Sequence, residues 1–345
     1  MPSERTLAAE LGVSRPTLRR ALEPLVEEGL LQNHPGMGTS VAGSDEDDEA
    51  DRTWKILALL LPDITNRFFS EVTEAIEYTA LQRGYQLLLC NSRHQIHLEE
   101  FHIRQLVERR VDGVVLAHDP YQDMPASINL LHEAGIPTVL LFSSPHHVNY
   151  DSVILDDRAG VDQGMRYLTS LGHRQIAFCR PVPGARPHPR ELEYRELMHA
   201  LGVAPCVLEL LGVEDSEVQR ILSELLSAKQ PPTAFFAGND HMAVLLMKHL
   251  GALGVEVPGQ VSVLGFDNLR VSENLPVPLT TIDQPKQEMG RRAVELLFER
   301  MAAGPAMPMR REVFSPHLII RNSCGVAAFK RATATASRAL RSVVT

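Results

Sequence analysis

At 345 residues, with 44% hydrophobic, 5% aromatic and 22% charged side chains, the chain suits two or three globular domains. No apolar run approaches the ~20 residues that span a bilayer, and the opening MPSERTLAAELG lacks the basic-then-apolar pattern of a secretory signal, so a cytoplasmic protein without membrane contact is expected. Cys90, Cys179, Cys206 and Cys324 are too scattered for a zinc grouping and read as reduced thiols, while the net charge of −9 makes the distribution of basic residues, not their sum, the test for nucleic-acid binding.

Residues 1–42 carry four arginines and five glutamates, yet Arg15, Arg19 and Arg20 share one short stretch. Ser3 can cap a helix over SERTLAAEL, with Leu7, Ala8 and Leu11 on its apolar side. The turn Gly12-Val13-Ser14 follows, and Ser14 can cap a second helix, RPTLRRALEPLVEEG, in whose first turn Pro16 is tolerated. Leu18, Ala21, Leu22 and Leu25 form its inward stripe. Arg15, Thr17, Arg19 and Arg20 lie near its start, the end that a helix-turn-helix sets against base edges. After Gly29, LLQNHPGMGTSVA reads as two short strands joined at Gly-Met-Gly, a wing. Taken alone, an amphipathic helical hairpin explains such a pattern equally well.

Residues 43–54 form an acidic linker: GSDEDDEADRT holds six carboxylates and almost no apolar side chain, so it reads as self-repelling and extended. From residue 55 to about 322 one grammar repeats. KILALLLP, YQLLLC, DGVVLA, PTVLLF, QIAFC, TAFFAG and VSVLGF are short apolar runs separated by helical patterns. Such alternation predicts parallel strands with crossover helices, a doubly wound α/β class. The length favours two sheets facing each other across a cleft. Residues 323–345 are rich in small side chains with scattered bases (Lys330, Arg331, Arg338, Arg341) and read as a disordered tail.

Two stretches resemble known families. PSERTLAAELGVSRPTLRRALEPLVEEGLL…GMGTSVA is similar to the GntR-type winged helix-turn-helix. The resemblance puts Arg5, Arg15, Thr17, Arg19 and the wing residues His34, Gly36 and Gly38 on DNA-contacting positions. Arg15 and Arg19 can donate bidentately to guanine or to phosphate, and both options stay open. The family fold begins with a further helix, here absent from the sequence, which is expected to leave Leu7, Leu11, Leu18 and Leu22 uncovered; a chain start assigned too far downstream or a truncated gene model is the reading, and a genuinely shortened domain the alternative.

Residues 55–322 resemble the LacI-type effector domain, itself similar to type I periplasmic sugar-binding proteins. The carrying segments include LLPDITNRFFSEVTEAIEYTALQRGYQLLLCNS, RRVDGVVLA, SVILDDRAG, YLTSLGHRQIAF, PTAFFAGNDHMAV, LGVEVPGQVSVLGFDN and PLTTIDQP. The fold implied is two Rossmann-like lobes with crossings near residues 152, 281 and 312. Lobe 1 then takes 55–152 and 282–312, and lobe 2 takes 153–281 and 313–322. By this resemblance Phe68, Phe69, Arg190, Asn239, Asp240, Asp267 and Gln284 surround the effector. For the polar ones that follow a strand, capping of the next helix competes with ligand contact. Around Arg190 the chain reads R-E-L-E-Y-R, with Glu193 where family members often have glycine, and Arg186 is a rival. Ser143-Ser144 stand where relatives often carry a carboxylate. Amide and carboxylate groups favour a sugar over a purine or nucleoside.

The expected protein is therefore a homodimeric transcription regulator, a repressor, whose partners are operator DNA and a small-molecule effector. It is not expected to be an enzyme, since no G-x-S-x-G, P-loop or G-x-G-x-x-G stands in the sequence. No cofactor is implied. His94, His97 and His102 straddle a strand end and a helix start and read as polar surface before metal. The alternatives are a solute-binding protein of a sugar transporter, or a sensor that no longer binds DNA.

Overall fold

The computed structural model describes residues 6–8, 11–28, 30–34, 38–41, 55–118, 123–142, 150–181, 187–304 and 307–327. Arg5, Gly36, Ser143, Ser144, Arg186, the acidic linker 43–54 and the tail from 328 onward lie outside the described residues, as does the side chain of His34. The chain divides into two units, Met1–Lys55 and Ile56–Thr345.

In the first unit, helix α1 (Arg15–Glu27) precedes strands β1 (Leu31–His34) and β2 (Gly38–Val41). Ser14 caps α1 as its sequence suggests: Oγ accepts the Thr17 amide at 3.3 Å. Leu18 is buried together with Ala8 and Leu31. The expected inward stripe is only partly realised, because Ala21 and Leu25 are exposed and Leu22 is half-buried. One buried stripe centred on Leu18 is all that packing on β1 requires, and Ala21 falls on its flank. β1 and β2 pair antiparallel, Leu31 opposite Val41 and His34 opposite Gly38, which is the hairpin read as a wing.

The second unit opens with β3 (Ile56–Leu61), α2 (Arg67–Leu81), β4 (Gln86–Asn91), α3 (Ile96–Glu108), β5 (Gly113–Leu116), α4 (Ile128–Glu133), β6 (Thr138–Leu141) and β7 (Asp151–Leu155). There follow α5 (Asp157–Ser170), β8 (Ile176–Arg180), α6 (Pro189–Ala200), β9 (Cys206–Glu209), α7 (Asp215–Leu226), β10 (Ala234–Ala237), α8 (Asp240–Ala252), β11 (Ser262–Asp267) and β12 (Thr280–Asp283). Helix α9 (Lys286–Ala303), β13 (Arg311–Phe314) and β14 (His317–Ile319) complete it. Two six-stranded sheets result, ordered β13-β7-β6-β5-β3-β4 in lobe 1 and β14-β12-β11-β10-β8-β9 in lobe 2. Every neighbouring pair in them is parallel except β12 with β14.

The apolar runs explain the layers. Leu57 to Leu61 of β3 are all buried, with Leu57, Leu59 and Leu61 in one core with Val72 and Ile76 of α2 and Met289, Ala293 and Leu297 of α9. Ala58 and Leu60 belong to a second core with Ile103 and Leu106 of α3. A strand covered on both faces needs an unbroken apolar run, and each buried leucine contributes about 1.5–3 kcal/mol.

The chain crosses between lobes after Leu155, Asp283 and Phe314, a little later than the expected 152, 281 and 312. The strands continue because their ladders do: Leu155 still pairs with Phe314, and Asp283 with Asp267. The expected tail also begins too early. Ser323 is fully buried, its hydroxyl accepting from the Thr280 amide at 2.8 Å and donating to Val263 O at 2.6 Å. Gly325 N donates to Ser262 Oγ at 3.0 Å and Ala327 N to Leu171 O at 2.9 Å. Residues 323–327 thus satisfy polar groups that the lobe-2 core would otherwise leave unpaired.

Candidate functional site

The carboxyl ends of the strands from both lobes open onto one cleft, as expected of doubly wound sheets. It encloses about 740 Å³ of empty space, part of it open to solvent. Lobe 1 supplies mostly hydrocarbon. Asn66 caps α2 by accepting from the Phe68 amide at 3.0 Å, and this turn delivers Phe68 and Phe69 to the cleft. Phe142, just past β6, completes the wall, its ring centroid 4.9 Å from that of Phe68 and 6.4 Å from that of Phe69. Phe142 has φ +64 and His94, another lining residue, φ +57, conformations that side chains with a Cβ seldom adopt. Such strain persists where surrounding structure holds a site in shape.

Lobe 2 supplies the polar groups. Arg190, on the first turn of α6, donates from Nε to Asp157 Oδ1 at 2.6 Å and from Nη1 to Gly238 O at 2.8 Å. Its guanidinium stacks 3.6 Å from the centroid of the Phe266 ring, and Nη1 lies 3.6 Å from Asp267 Oδ1. Gly238 must be glycine here: a Cβ would lie 2.5 Å from Pro181 Cδ. Gln284 Nε2 donates to Asp267 Oδ1 at 2.5 Å. Burial pushes the Asp267 carboxyl up to about 7; Arg190, Lys286 and the Gln284 bond oppose the rise, and buried Asp240 adds to it.

Phe68, Phe69, Arg190, Asn239, Asp267 and Gln284 therefore meet in one cleft. Asn239 does two jobs, since Oδ1 accepts the Met242 amide at 2.8 Å to cap α8 while the residue lines the cleft. Asp240 is the exception. It is fully buried behind the site, accepting from the Leu269 amide at 2.9 Å, Thr281 Oγ1 at 2.6 Å and Ser272 Oγ. Burial raises the Asp240 carboxyl above its ordinary value, the three donors and Lys286 opposing the rise, and Asp240 anchors the loop after β11 instead of facing a ligand. In the first unit Arg15, Thr17 and Arg19 are exposed on α1, Arg15 and Arg19 one turn apart on the same side, and the Thr17 hydroxyl lies 2.7 Å from Ser14 Oγ. Gly38 opens β2.

Residues 165–324 match the family model of a periplasmic binding protein-like domain, and residues 1–41 that of the bacterial regulatory proteins of the gntR family. The HTH-type transcriptional repressor PurR of Vibrio campbellii is 32% identical over 277 residues, which cover 78% of this chain and 81% of the relative. The arabinose metabolism transcriptional repressor of Geobacillus stearothermophilus is 28% identical over 335 residues, 94% of this chain and 91% of that one. A LacI family transcriptional regulator from Enterococcus faecium, solved with bound ribose, superposes with a TM-score of 0.68 at 27% identity, covering 79% of this chain and all of that structure. The chain belongs to the LacI-type transcriptional regulators, with a GntR-type DNA-binding domain.

This LacI-type regulator is an effector-controlled, DNA-binding repressor, and its relatives are repressors, not enzymes. Among the described residues no helix is long and apolar enough to cross a membrane, and no three His, Cys, Asp or Glu side chains group to hold a metal ion. His102 Nε2 instead lies 3.3 Å from Asn91 O, and His94 Nε2 lies 4.0 Å from Asp63. Sequence reasoning missed Asp157, Phe142, His94, His118 and His188 as cleft residues. Asp157 and Phe142 had a signal, since each follows a buried apolar run as the accepted residues do. The histidines had none, because a histidine after a strand is equally at home on a surface.

Proposed function

We propose that this regulator is a homodimeric repressor of the cytoplasm, without catalytic activity, whose operator affinity changes when a sugar draws the two lobes together. The observation that carries this reading is the polarity of the cleft. Phe68, Phe69 and Phe142 offer an aromatic wall suited to the C–H face of a sugar ring. Asp157, Arg190, Asn239, Asp267 and Gln284 offer donors and acceptors suited to hydroxyls. The bound ribose of the Enterococcus faecium regulator supports the same class of ligand. A ligand touching both lobes binds closed and open forms unequally, which is what shifts the DNA-competent population.

Dimerisation is supported by apolar residues along the edge of lobe 1. Tyr78 and Leu81 of α2 are 61% and 58% exposed, and Leu88 and Leu89 stand exposed on the edge strand β4, on which α2 packs. An open strand edge with exposed leucines invites a partner, and two copies would space two winged helices on a pseudo-palindromic operator. We assign DNA contact to Arg5, Arg15, Thr17, Arg19 and the wing at His34, Gly36 and Gly38. Thermal-shift screening of pentoses, hexoses and nucleosides tests the effector, and footprinting on DNA upstream of the gene tests the operator. Stabilisation by nucleosides alone would replace the sugar by a stacked base, and protection of no DNA would remove the operator from the reading.

A further inference from the structure

The stretch R-E-L-E-Y-R of α6 does more than carry Arg190 to the cleft. Glu191, the next residue, is fully buried and is not one of the residues that line the cleft. Its carboxylate accepts two parallel bonds, from Arg180 Nε at 2.8 Å and from Arg180 Nη2 at 2.9 Å, and a third from Arg195 Nε at 2.8 Å. Arg180, the last residue of β8, is 8% exposed and also meets Glu209 of β9. An ion pair taken out of water gains little stability over an apolar pair of the same volume, so stability is a poor reason for this one. Its geometry gives a better reason. Successive residues of a helix point about 100° apart. With Glu191 bound to the end of β8, the rotation of α6 is set and Arg190 is turned away from that pair, toward the cleft.

A second acid holds the same helix from its far side, about 200° around from Glu191. Glu193 pairs with Arg158 Nε at 2.5 Å, and Arg158 adjoins Asp157, to which Arg190 donates. Residues three apart share a helix face, so α5 offers an acid and then a base, and α6 answers with a base and an acid one turn apart. Arg158 is 69% exposed and shared with Glu196, so this outer clamp is worth little by itself. The forked pair withdrawn from water carries the orientation. We infer that Arg180 and Glu191 are positioning residues of the effector site: their buried pair fixes the turn of α6 that delivers Arg190 to Asp157, to Gly238 O and to the Phe266 ring. A guanidinium that must meet three partners at once leaves small tolerance for rotation of the helix that bears it. The inference rests on the reading of the cleft as the effector site and adds the residues that stand behind it.

The test uses the full chain and calorimetry with D-ribose, L-arabinose, D-glucose and adenosine, the probe being whichever of these the wild type binds most tightly. Arg180→Met combined with Glu191→Leu replaces the pair by apolar side chains of similar volume, and Arg195 and Glu209, each close to half exposed, keep access to water. This double variant is expected to melt at or above the wild-type temperature and yet to bind the probe at least about tenfold more weakly. Arg180→Lys, which keeps the charge and loses the fork, is expected to fall between the two, and it reads the inference should the double variant not fold. A merely structural pair would weaken binding by the same factor whatever residue replaces Arg190. In an Arg190→Met background the double replacement is instead expected to cost no more than about threefold further, because the group it aims is gone. Wild-type affinity in the double variant, or in Arg180→Lys if the double variant does not fold, overturns the inference and leaves the sugar reading standing, and so does the full loss repeated in the Arg190→Met background. Adenosine bound in preference to every sugar overturns the sugar reading alone, and no binding of any probe overturns both.

Discussion

Lys286, the first residue of α9 in lobe 1, donates from Nζ to the backbone carbonyl of Asp267, the cleft carboxylate residue of lobe 2. The same ammonium lies 3.2 Å from Asn268 O and 3.7 Å from Glu71 of α2. Asp267 and Asn268 have φ of +121 and +51, so this lysine holds a turn that non-glycine residues seldom make. Lys286→Met is expected to cost about 1.5–3 kcal/mol, the usual worth of a hydrogen bond to a charged group. It also removes a positive charge that opposes protonation of Asp267. The variant should melt earlier and bind effector more weakly, by more than its lost stability accounts for. An unchanged melting temperature would show that the tie is slack.

The raised Asp267 gives effector binding a pH dependence whose sign follows from the cleft. In the free protein the carboxyl titrates at about 7. Ligand hydroxyls donate to the charged form and so lower that value on binding, with release of a proton. Affinity is then full above about pH 7 and declines as pH falls below it, approaching roughly tenfold per unit. Asp267→Asn should bind weakly at every pH and lose the slope. Calorimetry of the best probe between pH 5.5 and 8.5, conditions on the order of those where histidine and this carboxyl titrate, reads both.

Arg190 is held by shape as much as by charge. Its planar guanidinium serves Asp157, Gly238 O and the Phe266 ring at once, which an ammonium cannot do. Arg190→Lys is expected to weaken effector binding by about 1–3 kcal/mol, roughly 5- to 150-fold. Gly238→Ala should do the same without touching the arginine, because the added Cβ meets Pro181 and moves the carbonyl that Arg190 binds. A full-affinity Gly238→Ala protein would mean that this carbonyl does not position the side chain.

The exposed arginines of α1 can be sorted by salt. If Arg15 meets a phosphate, Arg15→Ala lowers operator affinity evenly across sequences and reduces the slope of log K on log salt by about 0.9. If it meets a guanine, the loss of about 1–3 kcal/mol is confined to one base pair and the slope is kept. Arg19→Ala is read the same way. Both substitutions are expected to weaken operator binding, since Leu18 between them is the buried side of the turn and the arginines point outward.

The layers of the effector domain were legible because strands buried on both faces leave unbroken runs such as ILALLL and AFFA. Strand ends were less so. The ladder partner that decides where β7 stops, Phe314, lies far along the chain, beyond the reach of local pattern. In the cleft, position after a strand singled out Asp267, which lines it, and Asp240, which does not although it adjoins Asn239. Neighbouring residues on a helix start point to different faces, and only the fold decides which faces the cleft. The Arg180–Glu191 pair was illegible for the same reason: the two residues are joined by packing of α6 against the end of β8, not by any spacing.

His173 gives the fold its own response to acid. Its ring is buried, with Nδ1 2.8 Å from Thr233 Oγ1 and Nε2 3.0 Å from both Gly325 O and Ser262 Oγ. Burial lowers its pKa below the ordinary 6.5, against the Gly325 bond, which raises it. The unfolded chain therefore takes up this proton first, so the stability contributed by neutral His173 is present above about 6.5 and is lost as pH falls below it. Asp267 runs the other way. Its folded value near 7 lies above the ordinary 3.8, so its contribution is full below 3.8 and lost as pH rises through about 7. The two effects oppose each other over the weakly acidic range and are separable by substitution. In the ligand-free protein, Asp267→Asn should expose the acid-induced fall in melting temperature, and His173→Gln should be less stable at neutral pH but lose that fall. Because His173 also holds Gly325, His173→Gln should in addition raise amide exchange at Gly325 and Ala327, whose bonds to Ser262 and Leu171 close this end of lobe 2. Unaltered exchange there would show that His173 does not help to hold residues 323–327.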